Sequence, residues 1–408
     1  MKININIPRE AKIALNILIK NGFEAYVVGG CVRDSLLGIV PNDWDITTSA
    51  KPGEIIDCFQ NYRTINTGLK HGTLTVIIEG MQIEITTYRI DGRYSDNRHP
   101  DSVFFTDDVS YDLKRRDFTI NSLAYNNNGI VDLFGGIDNI KNKIIKCVGD
   151  PDERFNEDGL RILRALRFAS VLEFTIDHET SVSIHRNKGL LNSISKERIA
   201  NEFNKFLTGC NFYKIMIEYK DVVEVFIPYV KGFDNDTWEN ILNSMRFADS
   251  LDLKLTLLLY KTNCAENILK KLKYDGATVK KVRTLVFYKD EEILPDRINI
   301  KRQLNKMGYE NYVNFLKFKS TVFRSQSDKY EQNLINIKNS GKILNDIVVN
   351  NECYSLKALK INGKDLIELG LSEGAILGSI LNKILNLVIE GKLKNDRNIL
   401  IDRVKQNI

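Results

Sequence analysis

The chain lacks the long apolar segments and paired cysteines typical of membrane proteins and of proteins from oxidising compartments. Its longest apolar run, around residues 255–259, is far too short to span a bilayer, and residues 1–8 contain no uninterrupted apolar stretch. Six cysteines are spread along 408 residues without a C-x-x-C pair, which fits reduced thiols better than a disulfide framework or a zinc site. These absences predict a cytoplasmic protein with no membrane partner.

The chain also has few histidines and a small net charge. The net charge of +5 permits a nucleic-acid partner without arguing for one. Basic residues nevertheless recur in the second half of the chain, where they form the following clusters: Lys280, Lys281 and Arg283; Lys301, Arg302 and Lys306; Lys317, Lys319 and Arg324; Lys392, Lys394, Arg397, Arg403 and Lys405. A solvated helix surface explains any one cluster, whereas the recurrence of such clusters favours a surface that binds successive phosphates of a nucleic-acid backbone.

Periodicity predicts an α+β head followed by a helical remainder. Residues 10–20 have helical spacing, residues 25–28 form a strand that leads into two glycines, and residues 72–79 and 81–88 flank Gly80 as a β-hairpin. This pattern indicates a small mixed sheet backed by helices. After Pro151 the strand signal disappears, and amphipathic runs cover residues 157–172, 196–207, 238–251, 255–272 and 375–390. The polar residues 330–351 are the best candidate for a hinge.

A phosphate-binding turn is the first candidate site. Gly29 and Gly30 follow the strand and precede a helix, so the backbone there can approach a phosphate whose charge the helix N-terminus favours. Arg33, one turn into that helix, can add a guanidinium to the same anion. A Gly-Gly turn alone is weak evidence, since most are only tight turns.

Paired carboxylates follow that turn. On a strand, residues i and i+2 point to one face, so Asp43 and Asp45 project together while Trp44 faces the other way. Two adjacent carboxylates repel each other unless they share protons or cations, and hard oxygen ligands suit Mg²⁺. Alternation also puts Glu84 on the face opposite Ile83 and Ile85. If its strand neighbours the aspartate strand, Glu84 is a third carboxylate near the metal; otherwise it lies on a solvated sheet face.

A second arginine pair stands at Arg115 and Arg116, ahead of an apolar stretch. Such a pair is usually a surface salt-bridge element. Beside an aspartate pair and Arg33, however, it makes a triphosphate site the better interpretation.

The ordered motifs resemble the head of class II tRNA nucleotidyltransferases and bacterial poly(A) polymerases, within the polymerase-β-like superfamily. They are G-G-x-x-R-D-x-x-L-G, D-x-D, Thr67-Gly68-x-x-His71-Gly72-Thr73 and R-R-D-F-T-I-N. Downstream, Glu157-Asp158-x-x-Arg161-x-x-Arg164-x-x-Arg167-Phe168 resembles the family's nucleobase-selecting motif, and Lys196-Glu197-Arg198-Ile199-x-x-Glu202 resembles its neck helix. Leu359-x-Ile361-Asn362-Gly363-x-Asp365-Leu366 resembles the tail of Gram-positive CCA-adding enzymes.

This resemblance implies a domain plan and a role for each matching residue. The plan is a catalytic head (1–150), a base-reading neck (151–208), a tRNA-binding body (209–330) with a degenerate phosphohydrolase-like region, and a tRNA-binding tail (331–408). The implied roles are as follows: Asp43 and Asp45 bind Mg²⁺; Glu84 assists them; Gly29, Gly30, Arg33 and Arg116 hold the triphosphate; Asp158 and Arg161 read the base; Arg164 and Arg167 support the nucleotide.

The same resemblance implies a mobile loop at Arg89-x-Asp91-Gly92-x-Tyr94-x-Asp96-x-Arg98-x-Pro100. In full CCA-adding enzymes this loop permits the switch from C to A, and enzymes that add only CC typically lack it. The activity expected is therefore template-independent addition of C, C and A to the tRNA acceptor arm.

Base selection also has a chemical argument. Residues i and i+3 share a helix face, so a carboxylate acceptor at Asp158 and a guanidinium donor at Arg161 are expected to stand side by side. Cytosine and adenine both present an amino donor beside a ring-nitrogen acceptor, whereas guanine and uracil present a carbonyl beside an N–H. The pair therefore fits C and A. An ordinary surface salt bridge is the plainer explanation of the same spacing.

The expected mechanism is in-line attack by the tRNA 3′-hydroxyl on the α-phosphate of CTP or ATP, assisted by two Mg²⁺ ions. A poly(A) polymerase and an enzyme that adds only A remain as alternatives. A phosphohydrolase is rejected because His71, His99, His178 and His185 all precede the region where its imidazole ligands would lie.

Overall fold

The computed structural model describes residues 4–66, 68–92, 94, 100–325 and 331–406. Contacts divide the chain into two compact units, Met1–Gly232 and Phe233–Ile408. Within the described ranges, no helix is both long enough and apolar enough to cross a bilayer. The finer division into head, neck, body and tail stays a prediction.

The first unit contains a seven-stranded mixed sheet with strand order β3-β4-β5-β2-β1-β8-β9. The strands along the chain are β1 Ala25–Val28, β2 Asp45–Thr48, β3 Arg63–Ile65, β4 Thr73–Ile78, β5 Met81–Thr87, β6 Arg89–Asp91, β7 Val103–Phe105, β8 Leu123–Asn126, β9 Gly129–Asp132, β10 Ile144–Ile145 and β11 Thr175–Ile176. Strand β2 pairs parallel with β5 and antiparallel with β1.

The predicted hairpin at Gly80 is confirmed. Strands β4 and β5 pair antiparallel up to Ile78 and Met81, and Glu79 and Gly80 turn the chain with φ of 48° and 90°. Positive φ at both positions is the geometry of a tight two-residue hairpin turn, for which glycine carries no steric penalty.

The early helices of the first unit pack around this sheet, and the later part of the unit consists mainly of helices. They are α1 Arg9–Lys20, α2 Gly30–Leu36, α3 Pro52–Cys58, α4 Val109–Lys114, α5 Gly136–Lys141, α6 Pro151–Glu157, α7 Leu160–Val171, α8 His178–Asn187, α9 Lys196–Thr208, α10 Phe212–Glu218 and α11 Lys220–Phe226. One departure from the predicted all-helical region is β11, which pairs parallel with β10. Two residues are too short to produce a recognisable periodic signal.

The second unit is helical throughout its described residues. Its helices are α12 Asn235–Met245, α13 Leu251–Leu259, α14 Ala265–Lys271, α15 Gly276–Phe287, α16 Arg297–Met307, α17 Tyr309–Ser325, α18 Glu331–Val349, α19 Gly363–Glu368, α20 Ala375–Ile389 and α21 Arg397–Lys405. A hydrophobic cluster that includes Leu366, Leu385 and Leu400 joins the last three of these helices.

Three predictions in this unit are wrong. Residues 238–251 are not one helix, because α12 ends at Met245 and the next helix begins at Leu251. Residues 255–272 are not one helix: α13 ends at Leu259 and α14 begins at Ala265, and between them the Thr262 hydroxyl accepts a hydrogen bond from the Cys264 N–H at 2.9 Å. Such local side-chain bonds compete with helix continuation. The described part of the proposed hinge, Glu331–Val349, is a helix, because buried Leu344 and Ile347 at helical spacing outweigh the surrounding asparagines.

Candidate active site

Three carboxylates come together at the neighbouring strands β2 and β5, in the middle of the sheet. Asp43 is exposed just before β2, Asp45 opens the strand, and Trp44 between them is only 6% exposed. This alternation confirms that the tryptophan faces away from the aspartates. Parallel pairing places Asp45 directly opposite Glu84 on β5. The condition attached to Glu84, that its strand neighbours the aspartate strand, is therefore met.

Electrostatics at these strands disfavour negative charge. The pKa of Asp45 is raised to about 6, chiefly by burial and also by the carboxylates of Asp43 and Glu84, while Arg116 acts in the opposite direction. Within the described residues, no group of three or more His, Cys, Asp or Glu side chains is arranged to hold a metal ion. Two aspartates match the number of carboxylates by which Mg²⁺ is commonly held when substrate phosphates and water complete its shell.

The glycine turn is built around an arginine. Gly29 has φ of 82°, and a Cβ at this position would lie 2.9 Å from Nη1 of Arg116. The positive φ favours glycine here, and a larger residue would also displace the end of the Arg116 side chain. Gly30 begins α2, where a Cβ would lie 3.7 Å from Nη2 of Arg33. The two predicted triphosphate arginines therefore lie against the two predicted glycines.

The guanidinium of Arg33 is held from two sides. Its Nη1 donates to Oδ1 of Asn121 at 2.5 Å, and its Nε donates to Oδ1 of Asp34 at 2.8 Å. Arg33 is only 9% exposed. The sequence assigned no separate role to Asn121, the last residue of the R-R-D-F-T-I-N motif, because its contact with Arg33 joins distant parts of the chain.

Asp112 is the functional candidate that sequence reasoning missed entirely. Its side chain is fully buried and accepts bonds from Nε of Arg115 at 2.9 Å, Nη2 of Arg116 at 3.3 Å and the Thr47 hydroxyl at 3.0 Å. Burial by itself raises the pKa of Asp112, but the guanidiniums of Arg115 and Arg116 bring it below its ordinary value. The spacing of Asp112 three and four residues before the arginines was the available signal.

Arg115 points away from the predicted triphosphate site and towards the segment predicted to be a mobile loop. Its Nη1 lies 3.6 Å from Oδ2 of Asp91, which also accepts a bond from the Tyr94 hydroxyl at 2.8 Å. Arg89 pairs with the other oxygen of Asp91 at 3.0 Å. Asp96 and Arg98 of that loop, like Thr67 and His99, lie outside the described residues.

The predicted helix over residues 157–172 is wrong at Asp158. Helix α6 ends at Glu157, α7 begins at Leu160, and Asp158 has extended φ and ψ of −144° and 103°. Its Oδ1 accepts a bond from the Leu160 N–H at 3.0 Å and its Oδ2 accepts one from Nη2 of Arg198 at 2.8 Å. Asp158 and Arg161 therefore do not share a helix face.

Arg161 has partners of its own. Nη1 donates to Oε2 of Glu157 at 2.6 Å, and Nη2 donates to the backbone carbonyl of Arg115 at 3.0 Å. The motif predicted to select the base thereby contacts the arginine pair at Arg115 and Arg116. Asp158 and Arg161 are both held in defined positions by their neighbours and not by each other.

Arg164 and Arg167 pair with carboxylates that are nearly buried. Arg164 donates from Nε and Nη2 to Oδ2 of Asp117 at 2.8 and 2.6 Å, and Nη1 of Arg167 lies 3.1 Å from Oε2 of Glu202. Burial alone raises the pKa of Asp117, yet Arg164 and a bond from Asn121 at 3.0 Å lower it well below the ordinary range. Since Asn121 also binds Arg33, one chain of bonds runs from the glycine turn to α7.

The basic clusters of the second unit form ion pairs within the protein. The pairs are Lys281–Asp252, Arg283–Glu266, Lys301–Glu352, Arg302–Glu390, Lys306–Glu291, Lys317–Asp249, Lys392–Glu390 and Arg397–Asp365. Most of these cations are largely exposed, and exposed ion pairs contribute little to stability. The clusters therefore carry less unbalanced positive charge than their sequence indicates.

Three family descriptions match successive parts of the chain. Residues 25–146 match "Poly A polymerase head domain", residues 173–231 match "Probable RNA and SrmB- binding site of polymerase A", and residues 248–404 match "tRNA nucleotidyltransferase domain 2 putative". Together they extend over both units.

Relatives that match over nearly the full length of the chain are CCA-adding enzymes. A CCA-adding enzyme of Ligilactobacillus salivarius is 36% identical, with 98% of each chain covered, and one of Enterococcus faecalis is 34% identical over 98% of this chain and 97% of its own. The crystal structure of the Bacillus stearothermophilus CCA-adding enzyme in complex with CTP superimposes with a TM-score of 0.81 at 28% identity, covering 98% and 97% of the two chains. A Thermotoga maritima CCA-adding enzyme complexed with tRNA shares the fold, with a TM-score of 0.66 at 21% identity over 99% of this chain and 97% of that one.

Proposed function

This chain belongs to the CCA-adding enzyme family and adds C, C and A to the 3′ end of tRNA from CTP and ATP, and we propose that the addition takes place beside the carboxylates of Asp43, Asp45 and Glu84. The observation that carries this assignment is the parallel register that sets Asp45 opposite Glu84, on a strand that pairs with the strand leading into the glycine turn. Because tRNA and both triphosphates are its substrates, we assign it to the cytoplasm.

Asp43 and Asp45 fit a magnesium ion. Their carboxylates are hard oxygen donors, and the raised pKa of Asp45 reflects burial and negative charge that a divalent cation would offset. When bound there, Mg²⁺ would lower the pKa of the tRNA 3′-hydroxyl and offset charge developing on the α-phosphate. Glu84 adds negative charge beside Asp45 and helps to attract the cation.

The triphosphate is held by the glycine turn and two arginines. Gly29 and Gly30 let the backbone approach a phosphate, and Arg33 and Arg116 lie against these glycines. Both guanidiniums are positioned before substrate arrives, Arg33 by Asn121 and Arg116 by Asp112. Preorganised cations of this kind lower the barrier because they need no reorganisation as charge moves to the leaving pyrophosphate.

Asp158 and Arg161 select the base, and each side chain is held in position by different neighbouring residues. Each oxygen of Asp158 accepts one bond, which leaves lone pairs for the amino group of cytosine or adenine. Arg161 uses only part of its five N–H donors on Glu157 and on backbone carbonyls, so others remain for the ring nitrogen. Guanine and uracil present the opposite pattern and are disfavoured without a template.

The decisive experiment supplies tRNA transcripts that end before C, after C and after CC with CTP and ATP, separately and together. Extension of all three to a single CCA end is expected. A long A tail would support a poly(A) polymerase, and extension of only the CC transcript would support an enzyme that adds only A.

The catalytic assignment is tested by Asp43→Ala, which should abolish incorporation while tRNA binding persists, because only the metal site is lost. Asp138→Ala, at an exposed carboxylate elsewhere in the first unit, is the matched control and should remain active. Incorporation by the Asp43 variant at the rate of the control would refute the assignment.

A further inference from the structure

Three guanidiniums surround one aromatic ring beside the proposed nucleotide site. The guanidinium carbons of Arg33, Arg164 and Arg167 lie 5.0, 5.4 and 4.1 Å from the centre of the Phe168 ring. We call these four residues the arginine–phenylalanine cluster. Arg164 and Arg167 share α7 with Phe168, whereas Arg33 comes from α2 in the head.

The cluster concentrates positive charge where water is scarce. Phe168 is 6% exposed and Arg33 is 9% exposed. Like charges at such separations repel, and each arginine therefore has a carboxylate partner: Asp34 for Arg33, Asp117 for Arg164 and Glu202 for Arg167. The negative face of an aromatic ring attracts cations as well, and this attraction strengthens when the cation is desolvated.

Two kinds of contact restrain Arg33 in different directions. The bonds to Asn121 and Asp34 are made by its N–H groups, so they act in the plane of the guanidinium. The Phe168 ring, 5.0 Å from the guanidinium carbon, adds an attraction that does not use those donors. The ring itself is held by Phe118, whose centre lies 5.8 Å away at an interplanar angle of 81°.

We propose that Phe168 is a positioning residue that orients the Arg33 guanidinium at the glycine turn through its ring electrostatics. The proposal rests on the triphosphate-binding role proposed above for Arg33. Nη2 of Arg33 is the atom nearest the position of a Cβ on Gly30, so a guanidinium that loses its orientation would meet the phosphates less well. A leucine would fill similar space but would not attract the cation.

The test replaces Phe168 with phenylalanine carrying one, two or three fluorine atoms, because fluorination weakens the ring's attraction for cations with little change in shape. The dissociation constant for CTP, measured by titration, should rise stepwise, to roughly 5- to 30-fold for the trifluorinated ring. The matched control is the same series at Phe59, a fully buried ring of the first unit whose ring neighbour is Tyr62 and over which no cation lies among the described residues. That series should leave CTP affinity nearly constant.

An Arg33→Met background separates the two proposals. The fluorine dependence of CTP affinity should disappear there, although Arg164 and Arg167 still lie over the ring, because the cation through which the ring is proposed to act on the triphosphate is gone. If CTP affinity in Arg33→Met equals that of the unmodified protein, the triphosphate role of Arg33 fails and this proposal fails with it. If Arg33→Met weakens CTP binding but fluorination of Phe168 has no effect, or has the same effect as at Phe59, only the positioning role is overturned.

Discussion

At the scale of single residues, buried carboxylates determine how the arginines of the first unit are used. Asp112 is fully buried and Asp117 is 8% exposed, yet both have pKa values below the ordinary range because guanidiniums face them. A buried ion pair adds little net stability compared with apolar packing, but removal of one partner leaves an uncompensated charge. These carboxylates therefore orient the arginines, and their loss should be costly.

The pH dependence of stability should show this at Asp117. Asp117→Asn should destabilise the first unit by about 3–5 kcal/mol at neutral pH, because Arg164 then lacks its charged partner. Since the folded pKa is lowered, the wild-type advantage is complete above the unfolded value near 3.8 and is lost as pH falls below it, through the folded pKa. Urea unfolding of both proteins from pH 7 to pH 3 measures the difference.

The exposed carboxylate Asp138 provides a control for this series, since Asp138→Asn should change the unfolding free energy by less than about 0.5 kcal/mol. A constant difference between wild type and Asp117→Asn across the whole pH range would contradict a charge-dependent role.

Arg198 should matter for base selection although it is not one of the proposed base-reading residues. It binds Oδ2 of Asp158 at 2.8 Å and so fixes the direction of that carboxylate. Arg198→Ala should reduce discrimination of CTP and ATP against UTP and GTP by about 10-fold, by analogy with the value of a bidentate base contact. Ratios of kcat/KM for the four nucleotides measure this.

Arg186→Ala removes a more exposed guanidinium on α8 that pairs with Asp152, and it should leave the ratios unchanged. An equal loss of kcat/KM for all four nucleotides in Arg198→Ala would indicate a general structural role in place of a selective one.

At the scale of elements, the break between α6 and α7 sets the positions of the two residues that we propose to read the base. A continuous helix would place Asp158 and Arg161 on one face, whereas the break gives Asp158 its own support from α9 through Arg198. Gly159 stands at this break against Leu190, where a Cβ would lie 2.9 Å from the Leu190 Cβ and 3.2 Å from its carbonyl oxygen. Close packing therefore requires glycine here, although its φ of −58° does not.

Gly159→Ala should lower the free energy of unfolding by about 1–3 kcal/mol, the usual effect of overpacking. It should also reduce the discrimination of CTP and ATP against UTP and GTP. The control is Gly189→Ala, where a Cβ would meet nothing within 4 Å. Thermal unfolding and the four-nucleotide comparison measure both effects. Equal behaviour of the two variants would show that contact with Leu190 does not constrain the break.

At the scale of the whole molecule, the proposed chemistry lies in one unit. The carboxylates, the glycine turn and the arginines that we assign to the nucleotide all belong to Met1–Gly232. The second unit, Phe233–Ile408, carries the basic clusters, whose cations largely form exposed ion pairs. Those pairs can exchange a carboxylate for an RNA phosphate, so we expect this unit to contribute tRNA affinity and not catalysis.

A fragment of residues 1–232 should bind CTP nearly as well as the full chain and bind tRNA at least about 10-fold more weakly, with a shallower dependence on salt. Titrations at several KCl concentrations measure both properties, and circular dichroism verifies that the fragment is helical. Loss of CTP binding in a folded fragment would contradict the assignment of the nucleotide site to the first unit.

The sequence by itself determined the chemistry and the faces of individual elements. Spacing in D-x-D, alternation in residues 83–85 and glycines after a strand are local properties, and local geometry fixes which side chains project together. The match of ordered motifs then indicated the family. These predictions needed no knowledge of which strands pair.

Only the tertiary structure decided which distant residues meet. The register of β2 with β5 sets Asp45 opposite Glu84, Asn121 reaches Arg33, and Arg198 supports Asp158 across a helix break. The sequence predicted an unbroken helix there because apolar spacing continues through the region, while packing of Gly159 against Leu190 and capping of the Leu160 N–H by Asp158 interrupt it. The Asp158 cap is local, but the other contacts depend on strand pairing and close packing between distant segments, which no local pattern encodes.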